Sequence, residues 1–212
     1  MDRRTKLDPS KLGELPELDE QAIADKEAEN GLLQFDYMAE LISKALRDGD
    51  PPLTPDVIRE FQRLAVDGLE PEPGVFRQEP VLIGGTSHVP PAFELVPELI
   101  DEMCAHVSDH WMDREPLHLA SYVMWRLNWI HPFTNGNGRS SRAASYLVLC
   151  AALKMNLPGD RTVPEIIDED KTVYYEALDE ADTAWAEGWL DLSLMEKVIH
   201  DALVQQLEDA VR

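Results

Sequence analysis

The chain lacks several features that would place it outside the cell or in a membrane. It has only two cysteines, Cys104 and Cys150, in 212 residues, so neither a disulfide framework nor a cysteine metal cluster is available. A reducing, cytoplasmic compartment is the expected one. No apolar run approaches the ~18 residues that a membrane span requires. Residues 1–6 are charged and begin no apolar stretch, so no signal peptide is evident.

Positive charge is also scarce, since 19 Lys and Arg stand against 41 Asp and Glu and give a net charge of −22. Nucleic-acid binding needs a basic face that neutralises phosphates, and an anionic membrane surface repels an acidic chain. We therefore expect neither nucleic acid nor membrane among the partners. The length and the apolar content of 44% are typical of one folded domain of ordinary size with an added arm.

The charge is unevenly distributed along the chain. Residues 116–159 contain no Asp or Glu and sum to +4, whereas residues 160–212 hold 15 acids and 4 bases and sum to −11. An acid-free basic segment in so acidic a chain indicates an anionic ligand. A buried core segment that excludes carboxylates explains the same composition equally well, and both interpretations stay open.

Apolar residues recur mostly with the 3.6-residue period of a helix, which predicts an all-α domain. The exception is a predicted β-hairpin at 76–88, where a β-prone Val-Leu-Ile run precedes two glycines. We divide the chain into an N-terminal arm (1–18), a helical segment (19–46) that Asn30-Gly31 could break, and a core domain (47–212). Further helices are predicted at 54–68, 93–109, 115–130, 137–156, 163–187 and 190–211.

The strongest chemical pattern is the run HPFTNGNGRSSR between His131 and Arg142. Gly136 and Gly138 permit positive φ and close approach of a ligand, and backbone amides entering a helix N-terminus bind phosphate. Arg139 and Arg142 are three residues apart, hence on one helix face, and two guanidiniums suit a polyphosphate. His131 can serve as a general base for a hydroxyl. The alternative is a plain turn with a solvated helix face and a structural histidine.

This run resembles the signature of the Fic family, HPFx(D/E)GNGRxxR, at every fixed position except Asn135, where the family usually has a carboxylate. The resemblance extends from about Glu27 to about Leu207. It implies the all-α Fic-type domain with a small β-hairpin flap. Fic proteins typically transfer AMP from ATP to a Ser, Thr or Tyr hydroxyl of a target protein. The resemblance therefore implies a protein adenylyltransferase with ATP as substrate and a hydroxyl-bearing protein as partner, and it leaves a homo-oligomer open.

Roles at the motif follow from the resemblance position by position. His131 would deprotonate the target hydroxyl, and Phe133 would anchor the loop in the core. The phosphates would be held by an anion hole at Gly136, Asn137 and Gly138, by Arg139 at the β-phosphate and by Arg142 at the γ-phosphate.

Four positions outside the motif also receive roles from the resemblance. Tyr175 and Asp182 would lie near the adenosine. Leu82 and Ile83 in the flap would clamp a target segment by strand-like pairing.

Asn135 affects the expected use of Mg²⁺, because the family's carboxylate at this position binds the ion that bridges the phosphates. An amide oxygen ligates a hard cation but adds no charge. We expect retained but weakened Mg²⁺ use. The alternatives are a slow enzyme, another nucleotidyl or phosphoryl transfer on the same scaffold, or a non-catalytic nucleotide-binding regulator.

The segment from Asp25 to Asn30 resembles an inhibitory motif found in some Fic proteins, (S/T)xxxE(G/N). Its glutamate, here Glu29, would pair with Arg142 and occupy the γ-phosphate position, although Asp25 stands where Ser or Thr is expected. A carboxylate and a phosphate compete directly for one guanidinium. The alternative is a solvated helix face with no regulatory role.

Overall fold

The computed structural model describes residues 5–6 and 18–212, so most of the predicted arm lies outside the described residues. In the described part the chain forms eight α-helices and two short strands, and the predicted all-α class is confirmed. None of these helices is long and apolar enough to cross a bilayer. The elements are β1 (Thr5–Lys6), α1 (Glu20–Asp48), α2 (Pro55–Val66), β2 (Leu82–Ile83), α3 (Val96–Asp109), α4 (Pro116–Ile130), α5 (Asn137–Leu153), α6 (Val163–Glu169), α7 (Thr172–Ala186) and α8 (Ser193–Asp209).

Local chemistry explains where the first two helices begin and end. The Asp19 carboxylate accepts a hydrogen bond from the Ala22 amide at 2.8 Å and caps α1, and Gly49 ends the helix in the left-handed conformation. The Thr54 hydroxyl caps α2 in the same way. α1 continues through Asn30-Gly31 without a break, because buried Asn30 donates to the Asp67 carbonyl at 2.9 Å and fixes the helix against the end of α2.

The acid-free segment forms the centre of the molecule. α4 and α5 pack against each other, with 10 of 15 and 13 of 17 residues buried, respectively. Burying an unpaired carboxylate is costly, and this accounts for the absence of acids along both helices. The interpretation as a core segment therefore holds for the helices and leaves the loop between them as the candidate anion site.

Two predicted elements were wrong. The helix predicted at 163–187 is two helices, since the Asp170 carboxylate accepts from the Thr172 amide at 3.0 Å and starts α7 after a break. The hairpin predicted at 76–88 is a single strand, β2, which pairs antiparallel with β1 so that Thr5 faces Ile83. The return half of the predicted hairpin is instead folded locally, because the His88 amide donates to the Thr86 hydroxyl at 3.2 Å.

Candidate active site

The motif loop is a tight connection between the two central helices. α4 ends at His131, which has left-handed φ and ψ of 50° and 60°, and its amide donates to the Leu127 carbonyl at 3.0 Å. Gly136, with φ of 78°, is the N-cap of α5. The loop thereby sets the histidine and the N-terminus of α5 a few residues apart at the same end of the helix pair.

The two motif glycines are required for different reasons. A Cβ on Gly136 would lie 2.9 Å from Val66 Cγ1, and its positive φ disfavours any side chain. A Cβ on Gly138 would lie 3.3 Å from Arg142 Nη1, one helical turn away. Gly136 thus lets the loop pack on α2, and Gly138 keeps the space beside the guanidinium.

Phe133 and Asn137 hold the loop closed from inside. Phe133 is fully buried, and its amide donates to Asn137 Oδ1 at 3.0 Å while Asn137 Nδ2 donates to the Phe133 carbonyl at 2.8 Å. This pair of bonds uses the side chain of Asn137, so only its backbone amide is left to face a ligand. The burial of Phe133 anchors the loop in the core, as its apolar side chain indicates.

Arg77 fixes the position of the histidine, a role that no sequence pattern indicated. Its side chain is buried, and its Nε donates to the His131 carbonyl at 2.9 Å and one Nη to the Pro91 carbonyl at 2.5 Å. Its backbone amide also donates to the Pro132 carbonyl at 2.8 Å. One guanidinium therefore joins the motif loop to the segment that carries β2.

A cavity opens beside His131 and gathers residues from four parts of the chain. Six of the sequence-predicted positions line it: Ile83, His131, Gly138, Arg142, Tyr175 and Asp182. Leu82 does not, and its side chain is exposed. The remaining lining residues were not predicted, and they are Thr86, His88, Asn128, Trp129, Tyr174 and Leu178.

Asn128 connects the helices below this cavity. Its Nδ2 lies 2.8 Å from both the Ser141 hydroxyl and the Tyr174 hydroxyl, and so links α4 with α5 and α7. Burial raises the pKa of Tyr174, so this phenol stays neutral near pH 7. The floor of the cavity is held by hydrogen bonds rather than by apolar packing alone.

Asp182 is a charged residue of the cavity lining. Its carboxylate accepts from Trp125 Nε1 at 2.8 Å and lies 3.5 Å from His88 Nδ1. His88 Nε2 is 2.8 Å from the Trp129 carbonyl. These contacts hold the carboxylate of Asp182, a residue that the resemblance places near the adenosine.

The protonation state of His131 suits a general base. The residue is 5% exposed, and this burial, with Arg77 and His88 nearby, lowers its pKa to about 3, although a backbone contact with Asn128 acts in the opposite direction. The imidazole is therefore neutral at pH 7 and can accept a proton.

The two motif arginines already carry partners. Arg139 donates to the Ala65 carbonyl at 2.8 Å and lies 3.5 Å from Glu27, and it does not line the cavity beside His131. Arg142 forms an ion pair with Asp168. Arg142 lines both that cavity and a groove of about 470 Å³ between α1, α5 and α6.

The predicted pairing of Glu29 with Arg142 is not formed. Glu29 lies 2.9 Å from Lys26, three residues earlier on the same face of α1, and its side chain is largely exposed. Lys26 is the nearer cation, and Asp168 takes the position on Arg142 that the sequence assigned to Glu29. The acid of α1 that reaches a motif arginine is Glu27.

Asn135 contacts the carboxylate of Glu70, a residue that the sequence motifs did not single out. Its Nδ2 donates to Oε1 of Glu70 at 2.7 Å, and its Oδ1 accepts from the Gly136 amide at 2.7 Å. Glu70 is 8% exposed. Because Asn135 carries no charge and its amide oxygen already accepts one hydrogen bond, residue 135 is a weaker Mg²⁺ ligand than a carboxylate would be. In the described residues no group of three or more His, Cys, Asp or Glu could hold a metal ion.

Comparison with known proteins agrees with the motif. A model of the Fic/DOC family matches residues 52–149. A protein named protein adenylyltransferase Fic from Nematostella vectensis is 29% identical over 159 residues, which cover 72% of this chain and 34% of the relative. The protein of that name from Drosophila persimilis is 31% identical over 125 residues, 58% of this chain and 24% of the relative. The chain thus spans about a third or less of these relatives.

Solved structures of Fic proteins share the fold. Fic-1 of C. elegans superimposes with a TM-score of 0.70 at 18% identity and covers 93% of this chain and 53% of that one. A Fic domain containing signaling protein from Bacteroides thetaiotaomicron has a TM-score of 0.61 at 20% identity, covering 86% and 72%. Residues 52–149 therefore resemble the Fic/DOC family in sequence, and the chain shares the fold of solved Fic proteins.

Proposed function

We propose that the chain is a protein adenylyltransferase that transfers AMP from ATP to a Ser, Thr or Tyr hydroxyl of a target protein. The observation that carries this proposal is the arrangement around one cavity. A neutral, buried histidine lines the same cavity as Arg142 and Gly138, which lie in the first two turns of α5. The names of the relatives support the same activity.

The proposed reaction is a single displacement at phosphorus. The target hydroxyl attacks the α-phosphorus of ATP, its proton passes to the neutral ring of His131, and pyrophosphate leaves as the new P–O bond forms. The Arg77 bond to the His131 carbonyl restricts how the loop can move, so the base keeps its position.

The phosphate groups would be held by backbone amides at the start of α5 and by Arg142, since an incoming anion is stabilised at a helix N-terminus. Arg139 would join them after leaving the Ala65 carbonyl. Tyr175 and Asp182 would contact the nucleoside. A Mg²⁺ ion bound with the phosphates would rely on phosphate oxygens more than on Asn135, which brings no charge.

The flap would position the target. An exposed strand edge binds an extended segment through backbone hydrogen bonds, and β2 already pairs with a segment of this kind, β1, through Thr5–Ile83 and Lys6–Leu82. A target segment that uses the same edge of β2 must replace β1.

Mass spectrometry of the purified protein incubated with ATP and a divalent cation tests the proposal. We expect the gain of one AMP moiety on the protein itself or on an added target, and its loss in His131→Ala. His200→Ala, which removes an exposed histidine on α8, serves as the control and should keep the modification.

Other masses point to other functions. A phosphate mass instead of AMP would show phosphoryl transfer on this scaffold. Binding of ATP without any modification would show a nucleotide-binding regulator, the function that the engaged Asn135 amide favours as second candidate.

A further inference from the structure

Arg142 is one member of a three-residue ion-pair network. Its side chain is 10% exposed, and it pairs with Oδ1 of Asp168 at the end of α6. Lys171, immediately before α7, places its Nζ 2.9 Å from the same carboxylate oxygen. One carboxylate therefore serves two cations, of which only Arg142 faces the cavity beside His131.

The carboxylate of Asp168 is charged in this network. Burial acts to raise its pKa, but the nearby Arg142, Lys171 and Arg139 outweigh burial, and the pKa is lowered from its usual value. Asp168 lines the groove on the far side of Arg142 and does not line the cavity beside His131. A phosphate that enters the cavity thus meets a guanidinium whose charge is already compensated from behind.

We propose that Asp168 is an exchangeable counter-ion of Arg142, which the terminal phosphate of a nucleoside triphosphate displaces while Lys171 retains the carboxylate. This inference rests on the proposed function, because it requires ATP in the cavity beside His131. The second cation lowers the cost of the exchange, since Asp168 loses one partner and keeps the other. With the terminal phosphate as the group that contacts Arg142, the network sets how strongly the site distinguishes a triphosphate from a diphosphate.

Titration calorimetry with ATP and with ADP, on the full chain, tests the exchange. In Asp168→Asn we expect ATP to bind about five-fold more tightly, in the range of a partly exposed ion pair, while ADP binding changes by less than about two-fold. Glu169→Gln is the matched control, because it also removes one negative charge at the end of α6. The carboxylate of Glu169 pairs with Arg161 and not with Arg142. This control should leave both affinities unchanged.

Lys171→Gln tests the second half of the network. Without the lysine, Asp168 has only Arg142 to pair with, so we expect ATP to bind about three-fold more weakly and ADP to be unaffected. Thermal melting of each variant shows whether the fold is retained, which we expect because Asp168 and Lys171 are both partly exposed.

Three results would overturn the inference. Weaker ATP binding in Asp168→Asn would mean that the carboxylate only orients Arg142, and equal changes for ATP and ADP would mean that the terminal phosphate is not involved. Unchanged ATP affinity in a protein that still transfers AMP would remove the counter-ion role and leave the proposed function intact. Absence of nucleotide binding in every form would overturn both.

Discussion

At the scale of single residues, Asn135 differs from the carboxylate of the family signature by one amide nitrogen, and that nitrogen is the atom that contacts Glu70. The carboxylate that the motif lacks is therefore present next to it, supplied by a residue 65 positions earlier in the chain. An Asp at position 135 would face Glu70 at hydrogen-bonding distance, and two carboxylates that close cannot both stay ionised. The local charge is thus set by the pair rather than by the motif alone.

This pairing predicts that a metal site is restored only by changing both residues. We expect Asn135→Asp with Glu70→Gln to bind Mn²⁺ about ten-fold more tightly than the wild type in the presence of a non-hydrolysable ATP analogue, since one unpaired carboxylate is then available. Asn135→Asp alone should gain less. Electron paramagnetic resonance of free Mn²⁺ measures both, and AMP transfer with Mg²⁺ should increase in the same order.

Glu70→Gln alone is the control for this series and should give no gain in Mn²⁺ affinity. An equal gain in Asn135→Asp and in the double variant would show that Glu70 does not influence residue 135.

At the scale of elements, α1 presents two acids to different partners. Glu27 lies 3.5 Å from Arg139, whereas Glu29 pairs with Lys26 on its own helix. An inhibitory action of α1 on phosphate binding should therefore depend on Glu27. Glu27 and Glu29 are two residues apart and both are exposed, so a substitution at one is a matched control for the same substitution at the other.

The expected result is that Glu27→Gln tightens ATP binding about two- to three-fold, in the range of an exposed ion pair, and that Glu29→Gln leaves it unchanged. Calorimetry with ATP measures the two variants side by side. If Glu29→Gln gave the larger effect, α1 would rotate to bring Glu29 to a motif arginine when ATP binds, and the inhibitory motif seen in the sequence would be correct.

Elements with local signals were predictable from the sequence. The period of the apolar residues predicted the helices, and the motif glycines predicted the tight loop between α4 and α5. The break between α6 and α7 was missed because it depends on one hydrogen bond, which the Thr172 amide donates to the Asp170 carboxylate.

Contacts between residues far apart in the sequence could not be predicted, because they leave no local sequence pattern. Arg77 reaches the His131 carbonyl over 54 positions, and Asp168 reaches Arg142 over 26. β2 was predicted with a neighbouring strand as partner, but it pairs with residues about 77 positions earlier. The motif was therefore enough to locate the site from the sequence. The residues that position the motif and neutralise its charges could be identified only from the folded structure.

At the scale of the whole molecule, the net charge of −22 opposes the approach of ATP. The acid-free segment 116–159 is mostly core, and both motif arginines are paired with carboxylates, so little positive potential remains at the cavity entrance. Salt shortens the range of this repulsion, since the Debye length falls from ~30 Å at 0.01 M to ~8 Å at 0.15 M.

We therefore expect ATP to associate faster as salt increases, by about three-fold between 0.01 M and 0.15 M, which is opposite to the usual effect at a basic nucleotide site. Stopped-flow mixing with a fluorescent ATP analogue measures the rate. The matching fluorescent adenosine, which carries no phosphate, is the control and should associate at a rate independent of salt. A rate for ATP that falls with salt would show that a locally positive entrance, formed once Arg139 and Arg142 leave their carboxylates, outweighs the acidic shell.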